Sequence, residues 1–261
     1  MNNTLYKALE ESGKILKEYM NKDFKIESKN VVSNLVTEVD KRSEAKIIEV
    51  IRNDFPDHNI LSEEIGALNT SSDVKWIIDP IDGTINYAHG IPICCVSIGI
   101  EVAGEIVMGG IYNPFGNEMF FAEKGKGSYL NDNRIQVSKE SDFKKSLLVT
   151  GFPYKTGSNP NNPVQVFSAI VNSDIPVRRL GSAALDICWT ACGRFDGFWE
   201  YNLNAWDVAA GLIILTEAGG TVTDFTGGTY SVYNKEILAT NGNIHEELLS
   251  IIMKAAGKKD V

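Results

Sequence analysis

The chain has 261 residues, 43% of them hydrophobic, and a formal net charge of −9. No apolar run approaches the ~20 residues that cross a bilayer, and the negative balance repels nucleic acid and anionic lipid at long range. A soluble globule with no nucleic-acid or membrane partner is expected, long enough for one domain of two closely packed halves, about 1–145 and 146–261.

The N-terminus runs from Met1-Asn2-Asn3-Thr4 straight into an amphipathic pattern carrying Lys and Glu, without the apolar core of a secretion signal, so a cytoplasmic location is expected. Apolar positions recur at helical spacing from about Leu5 to Met20 and again from about Lys41 to Asp54, where Phe55-Pro56-Asp57 stops the second helix. These two helices are expected to precede the first sheet. Val74 to Ile78 reads as a short buried strand. Ile93 to Glu101, Glu105 to Tyr112 and Glu118 to Ala122 then read as an antiparallel meander, with turns at Ala103-Gly104 and Asn113-Pro114-Phe115-Gly116.

After about Ser146 short strands alternate with helices, the pattern of an α/β second half. Strands are expected at Leu147 to Thr150, Val177 to Arg179, Gly197 to Glu200, and near Val222 and Leu238. Helices are expected near Val164 to Asn172, from Ser182 to Cys192, from about Ala205 to Ala218, and from His245. The cysteines, Cys94, Cys95, Cys188 and Cys192, form no Cys-x-x-Cys pair and read as free thiols of a reducing compartment. His58, His89 and His245 lack metal-binding spacing, which argues against zinc and against serine–histidine chemistry.

Asp79-Pro80-Ile81-Asp82-Gly83-Thr84 is the segment richest in chemistry. Its two carboxylates are hard oxygen ligands of the kind Mg²⁺ prefers, Pro80 stiffens the chain between them, and Gly83 admits close approach of a ligand. If Thr84 opens a helix, the amides there point at a phosphate oxygen. Asp-Gly is also an ordinary turn signal. Asp40, in Thr37-x-x-Asp40, reads equally as a helix cap, and Glu63-Glu64 as an exposed acidic turn. Asp207, between Trp206 and Val208, is a charge in apolar company that needs a partner.

The run from Trp76 to Tyr87 resembles the first signature of the inositol monophosphatase family, and Trp206-Asp207-Val-Ala-Ala-Gly211 with Glu217-Ala-Gly-Gly220 resembles its C-terminal motif. Leu61-Ser62-Glu63-Glu64 and Leu35-Val36-Thr37-Glu38-Val39-Asp40 are similar to its acidic pair and N-terminal element, so the likeness spans nearly the whole chain. The resemblance implies a layered αβαβα phosphatase fold, of α/β (α+β) class, and a lithium-sensitive, homodimeric phosphomonoesterase using two or three Mg²⁺ ions. One ion would take Glu63, Asp79 and the carbonyl of Ile81; a second would take Asp79, Asp82 and Asp207; a third, weaker one would lie near Glu63.

By the same resemblance, a metal-activated water on the Glu63 side would be oriented by Thr84, whose hydroxyl would meet Asp40. The substrate would touch Asp82, Gly83, Thr84, Gly181, Ser182, Ala183, Glu200 and Asp207, the small-molecule ester being an inositol monophosphate such as inositol 1-phosphate. Glu200 reads equally as a strand-end surface residue, and Lys29 either approaches the metal site or is an ordinary solvated lysine. Asn204-Ala205 departs from relatives that carry histidine and cysteine there, which touches only the leaving-group side. Fructose 1,6-bisphosphate, histidinol phosphate or a 3′-phosphonucleotide is the alternative substrate, and a regulatory binding protein with a secondary phosphatase activity is the alternative class.

Overall fold

A computed structural model describes residues 1–20, 22, 26–28, 35–153, 156–159 and 161–257; Lys29 lies outside the described residues. The helices are α1 (Asn2–Tyr19), α2 (Glu38–Asp54), α3 (Thr84–Ala88), α4 (Pro163–Val171), α5 (Ala183–Ala191), α6 (Ala205–Glu217) and α7 (His245–Ala256). The first strands are β1 (Ile26–Ser28), β2 (Leu35–Thr37), β3 (Asn59–Ser62), β4 (Gly66–Leu68), β5 (Val74–Asp82), β6 (Cys95–Val102), β7 (Glu105–Asn113), β8 (Glu118–Glu123), β9 (Gly127–Leu130) and β10 (Asn133–Ile135). The remaining strands are β11 (Leu148–Thr150), β12 (Val177–Arg178), β13 (Gly197–Tyr201), β14 (Thr221–Thr223) and β15 (Glu236–Thr240).

An eight-stranded sheet runs in the order β10-β9-β8-β7-β6-β5-β3-β4, and a five-stranded sheet in the order β12-β11-β13-β15-β14. The meander from β6 to β10 is antiparallel, as its turns predict. One expectation needs correction. A small antiparallel ladder, β1 with β2, lies between the first two helices in sequence, so they do not both precede all sheet structure. Beyond the meander the large sheet is mixed, because β3 joins β5 in parallel. The second sheet combines parallel β12-β11-β13 with antiparallel β15 and β14.

Three apolar clusters make these parts layers. One packs Leu5, Leu9 and Leu16 of α1 and Ile47 and Ile51 of α2 against Trp76, Ile78, Ile98 and Ile100 of the large sheet. The middle cluster buries α5 and α6 between Ile77, Ile111 and Phe120 on one side and Val149, Phe198 and Ala239 on the other. The third packs α4 and α7 on the outer face of the small sheet, through Val166, Ile170, Leu248 and Ile252 against Leu148, Trp199 and Leu238. The order is α, β, α, β, α. Helices α5 and α6 show little of the two-faced polarity of α1 because both of their faces are covered.

The middle layer packs closely because glycines face α6. A Cβ on Gly99 would lie 2.7 Å from that of Ala209, and one on Gly109 would lie 2.8 Å from the Ala210 backbone. Close packing here sets the start of α6 against β5 and β6: Ser97 Oγ donates to the carbonyl of Trp206 at 3.4 Å.

Candidate metal and phosphate site

Side chains alternate along a strand, so residues three apart face opposite ways. Asp79 pairs with Ser97 but Asp82 with Cys95, so β5 spends three residues where β6 spends two. This bulge returns Asp82 to the side of Asp79. The strand therefore runs past Ile78, its expected end, through both aspartates. Gly83 follows with φ 92° and N-caps α3, which begins at Thr84 as expected. A Cβ at Gly83 would sit 2.8 Å from the carbonyl oxygen of Ile93, so glycine is needed there for packing as well as for its backbone angle.

Asp79, Asp82 and Asp207 each offer an oxygen within 4.8 Å of the others. Each also anchors one oxygen on the protein. Ile81 N–H donates to Asp79 Oδ1 at 3.0 Å, and Asn204 N–H to Asp207 Oδ2 at 2.6 Å. Asp82 Oδ2 accepts from Ser182 Oγ at 2.5 Å and from Ala184 N–H at 2.8 Å. Anchoring orients the carboxylates without neutralising them. Burial first, then the neighbouring acids, hold the Asp79 carboxyl well above the usual range. Burial does the same for Asp207, reinforced by Asp82 and Glu63, and pushes Asp82 up to about 6. Such a buried concentration of like charge is what a divalent cation relieves, and its all-oxygen donors suit a hard one.

Asp207 occupies the third position of α6 in a capping box with Asn204. Asp40 repeats the device at the start of α2, where Thr37, rather than Asp40, is the N-cap. Asp40 Oδ2 accepts from Thr37 N–H at 2.8 Å and Thr37 Oγ1 at 2.5 Å. The other oxygen, Oδ1, receives the Thr84 hydroxyl at 3.2 Å. Cap partner and site residue are thus the same carboxyl, which burial raises to about 7. The Thr84 hydroxyl also lies 3.0 Å from the carbonyl of Ile81, so that carbonyl has a neighbour and keeps one lone pair for another partner.

Glu63 follows β3, its N–H bonded to the carbonyl of Ile78 at 3.2 Å. It is half-buried and outside the aspartate triad, yet its charge acts on Asp79, Asp82 and Asp207. Gly181, Ser182 and Ala183 lead into α5, but Ser182 and the first amides of the helix turn to Asp82 rather than standing open to a ligand. Glu200 is buried rather than a surface residue, and after burial the charges of Asp207 and Asp82 act on it most, so it borders the cluster.

Several contributors carry no motif. Glu44 is buried on α2 and its Oε1 accepts from Ser62 Oγ, from Glu64 N–H at 3.1 Å and from Ile65 N–H at 3.2 Å, gripping the turn that bears Glu63. Ser43 Oγ donates to the carbonyl of Pro80 at 2.8 Å. One helix thus braces both acidic segments. The available signal was spacing: positions 40, 43 and 44 share a helix face. His89 is exposed, His58 accepts from Trp76 Nε1, and His245 meets Thr223 and Thr240, so no histidine enters the site. All four cysteines are free.

The description "Inositol monophosphatase family" belongs to the family model that matches residues 1–256. The chain belongs to the inositol monophosphatase family. A relative from Haemophilus influenzae named Nus factor SuhB is 40% identical over 259 residues, 98% of this chain and 97% of its own. An inositol-1-monophosphatase from Synechocystis is 45% identical over 224 residues, 85% of this chain and 78% of its own. The solved inositol monophosphatase of Anabaena superposes with a TM-score of 0.87 at 42% identity, covering 97% of this chain and 94% of that one. The chain is therefore a phosphatase of this metal-dependent family, with the family's fold and with an acidic cluster able to hold a metal ion.

Proposed function

We propose that the protein is a Mg²⁺-dependent phosphomonoesterase that hydrolyses inositol 1-phosphate and similar small polyol phosphates. The observation that carries this reading is the meeting of Asp79, Asp82 and Asp207 within 4.8 Å beside the Thr84–Asp40 hydroxyl–carboxyl pair. Asp79, Asp82, Asp207, Glu63 and the carbonyl of Ile81 are the oxygens that would hold two ions, with Asp79 shared. When bound, Mg²⁺ supplies charge neutralisation at the phosphoryl group and lowers the pKa of water.

The chain's own groups then divide the work. Thr84 orients the attacking water and passes its proton toward Asp40, whose raised carboxyl is suited to receive it. As the new P–O bond forms, the ester P–O bond breaks and the polyol oxygen leaves, taking up a proton. The α5 dipole and the Ser182 and Ala184 donors keep Asp82 oriented at the leaving side. Glu200 offers its carboxylate oxygens to the hydroxyls of the polyol. On this reading residues 1–145 and 146–261 act as subdomains of one domain, since Asp79 and Asp82 come from the first and Ser182, Glu200 and Asp207 from the second. Lithium sensitivity and a homodimer accompany the reading by family likeness, and the free cysteines fit a reducing, cytoplasmic location; among the described residues no helix is long and apolar enough to cross a membrane.

The test is phosphate release from inositol 1-phosphate, fructose 1,6-bisphosphate, histidinol phosphate and 3′-phosphoadenosine 5′-phosphate, each with Mg²⁺ and with EDTA. Metal-dependent preference for inositol 1-phosphate is expected; preference for another ester would replace the substrate and keep the site. A second reading, a regulatory binding protein with secondary phosphatase activity, is favoured by the relative named a Nus factor. Absence of turnover on every ester would bring it forward.

A further inference from the structure

Glu200 is buried, yet no hydrogen bond holds its carboxylate among the described residues. Its oxygens, unlike those of Asp186, are not fully enclosed, so they stand open to a donor supplied by water or by a ligand. What locates this carboxylate is space. Thr150 at the end of β11 pairs in parallel with Trp199 of β13, which sets Gly151 beside Glu200. A Cβ built on Gly151 would fall 2.2 Å from both carboxylate oxygens. The Glu200 side chain therefore lies across the one position where β11 gives way to a residue without a side chain.

Across from it on α5, Asp186 is also buried with neither carboxyl oxygen hydrogen-bonded among the described residues, and Glu200 is the charge that acts on it most. Two donor-poor carboxyl groups in one corner leave little freedom for Glu200 to swing toward α5. The empty volume at Gly151 is the accommodation that remains.

We propose that Gly151 is a specificity-determining position: its missing side chain seats the Glu200 carboxylate over the end of β11, where it accepts hydrogen bonds from free hydroxyls of the leaving alcohol. The inference rests on the phosphatase reading, in which Glu200 meets the hydroxyls of the polyol, and adds to it the position that holds Glu200 there. Gly151 touches no reacting atom; it acts through Glu200. No left-handed backbone angle occurs at Gly151, so alanine is compatible with the chain there. The clash of an added methyl falls on the flexible tip of Glu200 and not on backbone.

The experiment compares wild type, Gly151→Ala, Glu200→Gln and the double variant on inositol 1-phosphate and on p-nitrophenyl phosphate, whose leaving group has no free hydroxyl besides the one released. Gly151→Ala is expected to raise KM for inositol 1-phosphate roughly tenfold, the scale of one hydrogen bond to a charged group, with kcat within about twofold. Its kinetics on p-nitrophenyl phosphate should match the wild type. Glu200→Gln should raise KM for inositol 1-phosphate similarly, and the double variant should lose little more, because both changes remove one contact. An unchanged KM in Gly151→Ala, equal defects on both esters, or additive losses in the double variant would each overturn the proposal. Failure of the wild type to hydrolyse either ester with Mg²⁺ would instead remove the phosphatase reading, and this inference with it.

Discussion

Replacing Asp82 with asparagine separates the fold of this site from its charge. Oδ2 of Asp82 accepts from Ser182 Oγ and Ala184 N–H, and the carbonyl oxygen of an asparagine can accept both. The amide NH2 then replaces the other oxygen and removes one negative charge from beside Asp79 and Asp207. Without metal, the wild-type carboxyl stands at about 6 because it is buried among acids, so removing its charge stabilises the metal-free protein at pH 8, on the order of 2 kcal/mol. At about 2–4 °C per kcal/mol for a chain of this size, Asp82→Asn in EDTA should melt roughly 4–8 °C above the wild type.

Mg²⁺ reverses the order. At a concentration about 100 times its Kd the ion adds ~2.7 kcal/mol to the wild type, roughly 5–10 °C, while the variant, short of one anionic ligand, should gain less than about a third of this. Loss of ~4 kcal/mol of transition-state stabilisation lowers kcat/KM about 10³-fold. Differential scanning fluorimetry with EDTA and with Mg²⁺, beside phosphate release, measures all three. A variant that melts below the wild type in EDTA, or keeps the full Mg²⁺ response, would refute the reasoning that the three aspartates form a strained cation site.

Glu44→Ala strands the Ser62 hydroxyl and the amides of Glu64 and Ile65, so a loss on the order of 3 kcal/mol and a higher Mg²⁺ requirement are expected; Glu44→Gln keeps the accepting oxygen and should recover most of both in melting and Mg²⁺-titration curves. If Gln is as damaging as Ala, charge rather than hydrogen bonding is the link. For the metal-free protein, Asp79 and Asp207 titrate well above the carboxylate range, Asp82 near 6 and Asp40 near 7. The folded state thus binds more protons than the unfolded chain from about pH 4 to 7. Their contribution is full below the unfolded carboxylate range and lost as pH rises through the folded values, so melting in EDTA should fall from pH 5 to pH 8. Mg²⁺ should flatten that slope by displacing the protons; a flat or rising profile in EDTA would contradict it.

The helices and the meander were legible because their signals are local. The periodicity of α1 and α2, the Phe55-Pro56 stop and the turns at Ala103-Gly104 and Asn113-Pro114 depend on neighbours within a few residues. The β1–β2 ladder and the parallel entry of β3 beside β5 were not, because short strands take their identity from partners distant in sequence. Asp79-Pro-Ile-Asp82 was recognised as acidic and metal-suited, but the bulge that turns both aspartates to one side exists only against β6. Glu44 carries no motif, since its part depends on Ser62, Glu64 and Ile65 meeting it across the fold.

The residue types and their order settled the family, the donor chemistry and the place of Asp40 at a helix start, because ligand hardness and helix-start signals are properties of side chains and near neighbours. Packing decided the rest. Close approach of α6 to Gly99 and Gly109 brings Asp207 to Asp79 and Asp82, α5 clamps Asp82, and β11 ends in the bare Gly151 that seats Glu200. Those contacts join segments far apart in the sequence, and the burial that raises their carboxyls arises only once the layers close around them.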